Sequence, residues 1–592
     1  MDHFRILALA ALVILTASSA AAAEGRTISA ERILEQIAAG EPVEYDGYTI
    51  EGALDLDKLT NLPTVEDDPF YQENRTNLSG NKKAIASRIK IANSTIKGGV
   101  NFNNAIFRSP VYFKNTMFED YAGFRGAVFK EGADLSSSQF SRYADFLGSE
   151  FLEYAYFNDS RFHDYADFEG AYLDYANFSA NFTEIAYFGY SHFNKTADFS
   201  GAGFNGDAIF SRAYFKGTAK FSHLAFNGIA SFMFSRFESY PRFDYTIFNY
   251  NAYFTSSQLG LIAYFGSSDF KDAAVFNNAK FNYAEFFESK FHGIADFDLS
   301  KFEGEAYFRE AMFDRTAIFT DIRFSSDATF TWSNFNGNAF FGGSNFIGDA
   351  YFDRSTFGKD AFFDSSVFSK STTFNISRFV GDALFEDTSF GNTLYLDKAR
   401  YNKFYVRWHA IKNSLICDDS AYMSLLKNFK DLGYYEDYDS CYYAYRQAHR
   451  GVDWPSVPDW EEAIRKFIDY PLQWFYGYGT KPFHAFFWSL GIVVAFFFYW
   501  RWLGLGGPQD KTREGLKDSE EWLDGDLTDI LGYSVTVFLS GTKFFIDPPA
   551  LPRIEGRSRS WMKKAFILER VLGALFSVLF FIAISGTIVR AA

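Results

Sequence analysis

The chain runs to 592 residues, long enough for several domains, and carries a formal net charge of −16. That balance excludes nucleic acid as a partner, since holding a phosphate backbone needs cationic side chains. Aromatic residues make up 20 % of the chain, with 74 Phe and 37 Tyr, so one aromatic-rich element must recur many times. The 2 cysteines exclude a disulfide framework and leave room for a single bridge.

The N-terminus, MDHFRILALAALVILTASSAAAAEG, has the three parts of a secretory signal. Arg5 is the basic start, Ile6 to Leu15 the apolar core, and Ser18 to Ala23 the small residues a signal peptidase accepts. Residues 1–23 are therefore expected to be removed, with the rest delivered outside the cytoplasm. The alternative is an uncleaved anchor, for which the apolar run is short. Sequons at Asn74, Asn93, Asn158 and Asn375 are compatible with a surface protein. Residues 24–100 are expected to hold a helix, ISAERILEQIAAG, capped by Ser29 and ended by Gly40. The alternating segments VEYDGYTIEGALDLDKL and ASRIKIANSTI then read as strands of the first, atypical coils that cap a solenoid.

Residues 101–397 carry one pattern: a Phe, another five residues on, and the next after six, as at Phe297, Phe302, Phe308, Phe313, Phe319 and Phe324. A small residue stands two places before each ring, such as Ala306 and Ala317 on one half and Ser300 and Ala311 on the other. This period fits neither a helix nor simple alternation; it fits a solenoid that turns a corner after each short strand. Residues two apart in a strand face the same way, so the ring and the small residue both point inward. ADFSGAGF (197–204) and ADFDLSKF (295–302) resemble the Phe-rich, eleven-residue variant of the pentapeptide-repeat family. That resemblance implies a mainly β fold, a right-handed quadrilateral β-helix with about 22 residues per coil. The block would make roughly 13 coils and a rod about 60 Å long. Spacings shift around Phe178, Phe182 and Phe188 and again near Phe286, where local bulges are expected. The aromatic ladder reads as core, each ring contributing about 2–3 kcal/mol of burial. Function then belongs to the outer faces, where a protein partner can dock, and the acidity there reads as a solvated surface.

Residues 398–482 form a connector. SAYMSLLKNFKDLGYYEDYDSCYYAYRQAHR (420–450) reads as two helices broken near Gly433, with Met423, Leu426 and Phe429 facing Tyr438, Tyr442 and Tyr445. Cys417 and Cys441 both fall here and are a candidate disulfide that their spacing cannot decide. No His–Cys cluster accompanies them, so neither a metal nor a catalytic role is expected. The Trp- and Tyr-rich stretch from Asp459 to Pro482 reads as interfacial, and its YGYG precedes the first span and takes no ion-binding role.

Residues 483–592 read as a membrane pair acting on a lipid bilayer. Phe483 to Leu503 is long enough to span, with Trp500 and Trp502 as an aromatic belt, and a second span runs from about Phe566 to Val589. Between them lies a shorter apolar piece, Leu527 to Gly541, a candidate re-entrant half-helix. Span, half-helix, span is the layout of the two-transmembrane potassium-channel pore domain, and ILERVLGALFSVLFF (567–581) looks like the start of that family's second helix. The resemblance marks Ser540, Gly541, Thr542 and Lys543 as the candidate pore segment. A potassium filter needs successive backbone carbonyls and several glycines. SGTKFFIDPP has one glycine and a lysine, so the family's filter residues do not carry over. Topology points the same way. Arg501, Lys511, Arg513, Lys517 and a cluster from Arg553 to Lys564 lie between the spans, while only Arg590 follows the second. That places the segment on the cytoplasmic side.

No nucleophile–base–acid arrangement, phosphate-binding loop or metal-ligand spacing appears, so neither an enzyme nor a cofactor is expected. The leading expectation is a surface rod held at the membrane by a channel-like helical pair. The alternative is a gated channel with a non-potassium pore, a homo-oligomer because one helix pair cannot enclose a conduit.

Overall fold

The structure is a computed structural model that describes residues 26–60, 62, 82–448, 469–505, 526–542, 546–552 and 558–591, without the side chains of 586–591. The expected signal sequence, the site of its cleavage, Asp459 and Lys543 lie outside the described residues. The chain divides into two compact units, Met1–Asp418 and Asp419–Ala592.

The first unit opens on helix α1, Ala30–Ala39. The Ser29 side chain accepts the Arg32 N–H, and Gly40 ends the helix at φ 70°, a left-handed conformation that glycine adopts without steric cost. Ile33, Leu34 and Ile37 are its buried face. Then begins a β-solenoid of about 17 turns.

One turn shows how the spacing builds it. Lys301–Phe302, Ala306–Tyr307, Met312–Phe313 and Ala317–Ile318 are four two-residue strands. Each pairs in parallel with its counterpart 22 residues on: Phe302 with Phe324, Ala306 with Ala328, Phe313 with Phe335. The result is two 16-stranded sheets and a third of 28 strands. That third sheet joins two ladders where Glu150–Tyr156, Tyr172–Asn177, Gln258–Tyr264 and Lys280–Glu285 run on around a corner. The second and fourth of these joints coincide with the irregular spacings. Register shifts appear as Tyr172–Asn177 pairs with Glu150–Tyr156 and as Lys280–Glu285 pairs with Gln258–Tyr264. They lie just before Phe178 and Phe286, where a corner has lost a residue.

The core is a column of rings. Phe297 is fully buried. It stacks on Phe276 at 4.7 Å and on Phe319 at 4.9 Å, nearly parallel to both, and meets Phe308 edge-on at 5.3 Å. Offset-parallel and edge-to-face contacts are the two favourable geometries of an aromatic quadrupole, adding about 0.5–1.5 kcal/mol per pair to burial. The small residue two places earlier fills the gap beside the ring. Where it is serine, its hydroxyl donates either to a carbonyl one turn back, as Ser300 does to Phe276 O at 2.7 Å and Ser366 to Phe341 O at 2.7 Å, or to its own corner, as Ser257 does to Phe254 O at 2.7 Å. A buried hydroxyl left without that acceptor would cost about 1–3 kcal/mol.

Corners are β-turns such as Phe297–Ser300, closed by Ser300 N–H to Phe297 O at 3.1 Å, with Leu299 at φ 58°. The stacking imposes this conformation every half turn. Asn278 and Gly343 tolerate it, but Trp332 and Ile376 also sit there, at φ 63° and 61°.

In the second unit, helices α2 (Asp419–Asp431) and α3 (Tyr435–Ala448) form the expected hairpin around Gly433, which adopts φ 73°. The packed face of α2 is one step off the expected one: Ala421, Leu425, Leu426 and Phe429 are buried, whereas Met423 is 48 % exposed. Cys441 is buried and Cys417 half-buried, and the candidate disulfide, left open by the spacing, is not formed. Helices α4 (Pro482–Leu503) and α6 (Arg559–Ala591) are long and apolar enough to cross a membrane. Between them lie α5 (Leu527–Leu539) and a 3-10 turn, Ser540–Thr542.

Three outcomes test the ring column. Phe308→Ala removes a ring stacked on both sides and should lower unfolding stability by about 3–5 kcal/mol in denaturant titration. Ile376→Gly relieves a left-handed β-branched residue and should raise it by about 1 kcal/mol. Asp296 is pushed above the usual carboxylate range by burial, so the fold favours its protonated form. Its ionisation destabilises the fold at neutral pH, and lowering the pH through the raised folded value restores that stability. Asp296→Asn should melt higher than the parent at pH 7, with the difference shrinking as the pH approaches 4.

Candidate functional site

The three apolar helices of the second unit meet at one carboxylate. Glu569, on α6, is fully buried. It accepts from Trp500 Nε1 of α4 at 2.8 Å and from the Ser534 hydroxyl of α5. Ser534 Oγ is also 3.0 Å from Val493 O of α4, and Trp500 packs edge-on against Tyr533 at 5.5 Å. An acidic side chain in apolar surroundings is tolerated only when its oxygens are hydrogen-bonded. Here the bonds come from both other helices, so Glu569 fastens the short helix between the long ones. Trp500 is correspondingly not a belt residue. It is fully buried, and Trp502, 67 % exposed, keeps the interfacial character expected of both.

Two glycines bring the backbones together. A Cβ on Gly573 of α6 would lie 1.9 Å from Phe538 O, and one on Gly541 would lie 2.2 Å from Arg570 O and 2.5 Å from Ala574 N. The described part of the candidate pore segment, Ser540 to Thr542, therefore lies against α6. Ser540 is fully buried, with its hydroxyl on Val537 O at 2.8 Å, and its own carbonyl is approached by Arg570 Nη2 at 3.4 Å. Gly541 and Thr542 are half-buried. Glu569 and Arg570, adjacent in sequence, turn to different partners. Below the half-helix an apolar cleft of about 360 Å³ opens between α4, α5 and α6, lined by Leu490, Val493, Val535, Phe538, Phe580 and others.

YGYG takes a mechanical place. Gly477, Tyr478 and Gly479 all have positive φ, at 58°, 57° and 83°. Tyr478 donates to Asp469 at 2.6 Å, Arg446 of α3 pairs with Asp469 at 2.7 Å, and Lys481 sits 4.1 Å over the Tyr443 ring. The turn thus ties the connector helix to the start of α4. Among the described residues no three His, Cys, Asp or Glu side chains converge as metal ligands.

The outer faces of the solenoid carry a different kind of arrangement, columns of like residues one turn apart. Asn205, Asn227 and Asn249 pass a hydrogen bond from amide to amide, at 3.0 and 2.7 Å between successive members. His292 bridges Asp269 and Asp314 at 3.1 and 2.6 Å.

With this geometry in view, comparison with known proteins is specific for one half of the molecule. The family model for pentapeptide repeats matches residues 124–171, 178–225, 286–331 and 308–356, with nine copies. The chain carries pentapeptide repeats. The gaps between the matched stretches hold the shortened spacings before Phe178 and Phe286, while a third, Phe178–Phe182, falls inside a match. No curated protein and no solved structure matches the chain.

Sequence reasoning singled out the loop after the half-helix and passed over Glu569 as the hub. The available signal was a lone acid inside an apolar run, ILERVLG, opposite a tryptophan and a serine on the neighbouring helices. Two substitutions test the packing. Gly573→Ala should displace the half-helix and lower stability in detergent by about 1–3 kcal/mol. Glu569→Ala should cost a similar amount by stranding two donors, and Glu569→Gln, which keeps an acceptor, should cost less.

Proposed function

We propose that the chain is a rod of pentapeptide repeats held at a membrane by its C-terminal helical unit, with a structural or partner-binding role and no catalytic one. The observation that carries this reading is the completeness of the ring column. The solenoid interior is filled from Phe102 to Phe390 by buried rings, so a ligand has only the outer faces to use. Two helices suited to a bilayer, in a unit of their own, supply the attachment. The secretory signal and the cationic stretch between the spans favour a rod on the extracytoplasmic side.

One observation favours a second reading, an oligomeric gated channel of non-potassium selectivity. A half-helix fastened between two candidate spans through Glu569 is a costly arrangement for a simple anchor. Against it, Ser540 and Gly541 are committed to packing on α6.

Membrane fractionation with protease treatment of intact cells separates these outcomes. The anchored-rod reading expects the chain in the membrane fraction and the repeat block accessible from outside. Reproducible unitary currents from purified protein in planar bilayers, altered by Lys543→Gln, would instead establish the channel.

A further inference from the structure

Exposed aromatic side chains are not spread evenly along the solenoid. Tyr165, Tyr190, Phe234, Tyr240, Tyr245 and Tyr250 are each exposed, and among the described residues of the solenoid only Trp332 joins them from elsewhere. Except for Tyr165, the concentration lies just past the first shortened corner.

Within it, the same corner of three successive turns carries Tyr190, Arg212 and Phe234, at φ 55°, 60° and 56°. The Arg212 guanidinium lies 5.6 Å from the Tyr190 ring and 5.2 Å from the Phe234 ring, sandwiched between them. Beside this column runs a second, in register on adjacent strands: Tyr172, His192, Tyr214 and Arg236. Its rings lie 5.0 and 4.6 Å apart, and Arg236 covers Tyr214 at 5.6 Å. Asn194 and Lys216, joined at 3.3 Å, form its far edge.

Solvation alone does not account for these residues. The equivalent corners further on hold Ser256, Asn278, Leu299, Asp321 and Gly343, none of them aromatic. Tyr190 and Phe234 take the same left-handed backbone while remaining 58 % and 50 % exposed, so they accept backbone strain without gaining burial. Arg212 has no carboxylate partner among the described residues. A guanidinium held between two ring faces keeps its in-plane N–H donors for another acceptor. Arg236 is paired with Glu238 at 2.8 Å and Asn194 donates to Asp174, so Arg212 and Lys216 are the patch's cations without a carboxylate partner among the described residues, on a chain whose net charge is −16.

We propose that this patch binds an acidic polysaccharide. Sugar rings present C–H faces that pack on aromatic faces, their carboxylates suit the forked donors of arginine, and their hydroxyls suit Asn194 and Lys216. Three turns span about 10 Å, the scale of a disaccharide, so a strand lying along the columns meets alternating ring and cation. The assignment rests on the partner-binding reading of the rod and names the class of partner.

The test uses the full chain in detergent micelles, run by affinity electrophoresis through gels containing polygalacturonate, neutral dextran or polyglutamate. Polygalacturonate should retard the protein, less so as salt rises, and the two neutral or peptidic polymers should not. The double variant Tyr190→Gly/Phe234→Gly relaxes the backbone and so should keep or raise the melting temperature, while binding falls about tenfold or more. Arg212→Ser should weaken binding comparably, and Trp332→Gly, at a corner outside the patch, should leave it unchanged. Absence of retardation, unaltered binding by the patch variants, or an equal loss in Trp332→Gly would overturn the proposal. Retardation by polyglutamate in place of polygalacturonate would overturn it in favour of an acidic protein. Because membrane retention is scored separately, loss of this site with the chain still in the membrane fraction leaves the anchored-rod reading standing.

Discussion

Parallel stacking of phenylalanine rings at a 22-residue interval is the constraint from which the rest of the solenoid follows. A ring can stack on its counterpart above and below only if the strands keep their register, and even the shortened turns preserve it: Phe162 stacks on Phe182, 20 residues on, at 4.8 Å. Corners must then close in a fixed shape, which is why a left-handed residue recurs each half turn whatever its side chain. A small residue usually sits two places before the ring, though Leu224 and Ile322 are also buried there, and serine serves where a carbonyl needs a donor. The stack also uses up the interior. What varies from turn to turn is the outer surface, and variation there is where recognition can be encoded.

Much of this was legible in the residues because the period is local. Alternating spacings of five and six, with Ala or Ser two before each Phe, require nothing distant to be read as strand and corner. The same local reasoning found α1 from Ser29 and Gly40, the hairpin from Gly433, and both apolar helices. The Phe block accounts for about 13 coils of residues 101–397, and the cap coils expected in residues 24–100 add to these, against about 17 turns in the unit. The difference comes from the ends, where Arg26–Ser29 and Leu415–Ile416 join the ladders with aliphatic residues in place of the rings. Strand pairing there comes from backbone geometry, which no Phe spacing reports.

The helical unit was harder to read because its decisive contacts are long-range and polar. Trp500 and Glu569 are 69 residues apart, and an apolar helix with a terminal tryptophan looks the same whether the ring faces lipid or a buried acid. Only the three-helix packing distinguishes the two. Glycines played a similar part: Gly541 and Gly573 mark where backbones touch, which explains the lone glycine of SGTKFFIDPP as a packing residue. The rod and the helical unit thus solve separate problems, one by repetition of a local rule and the other by a single buried polar junction.

The most direct test of the account is the period itself. Excision of Arg309–Phe330, one full turn of 22 residues, should leave the rings in register and a protein that melts cooperatively within a few degrees of the parent. Excision of Arg309–Asp327, three residues short of a turn, should break the column and lower the melting temperature severely. Equal tolerance of the two deletions, or equal loss, would contradict the claim that in-register ring stacking holds the solenoid together.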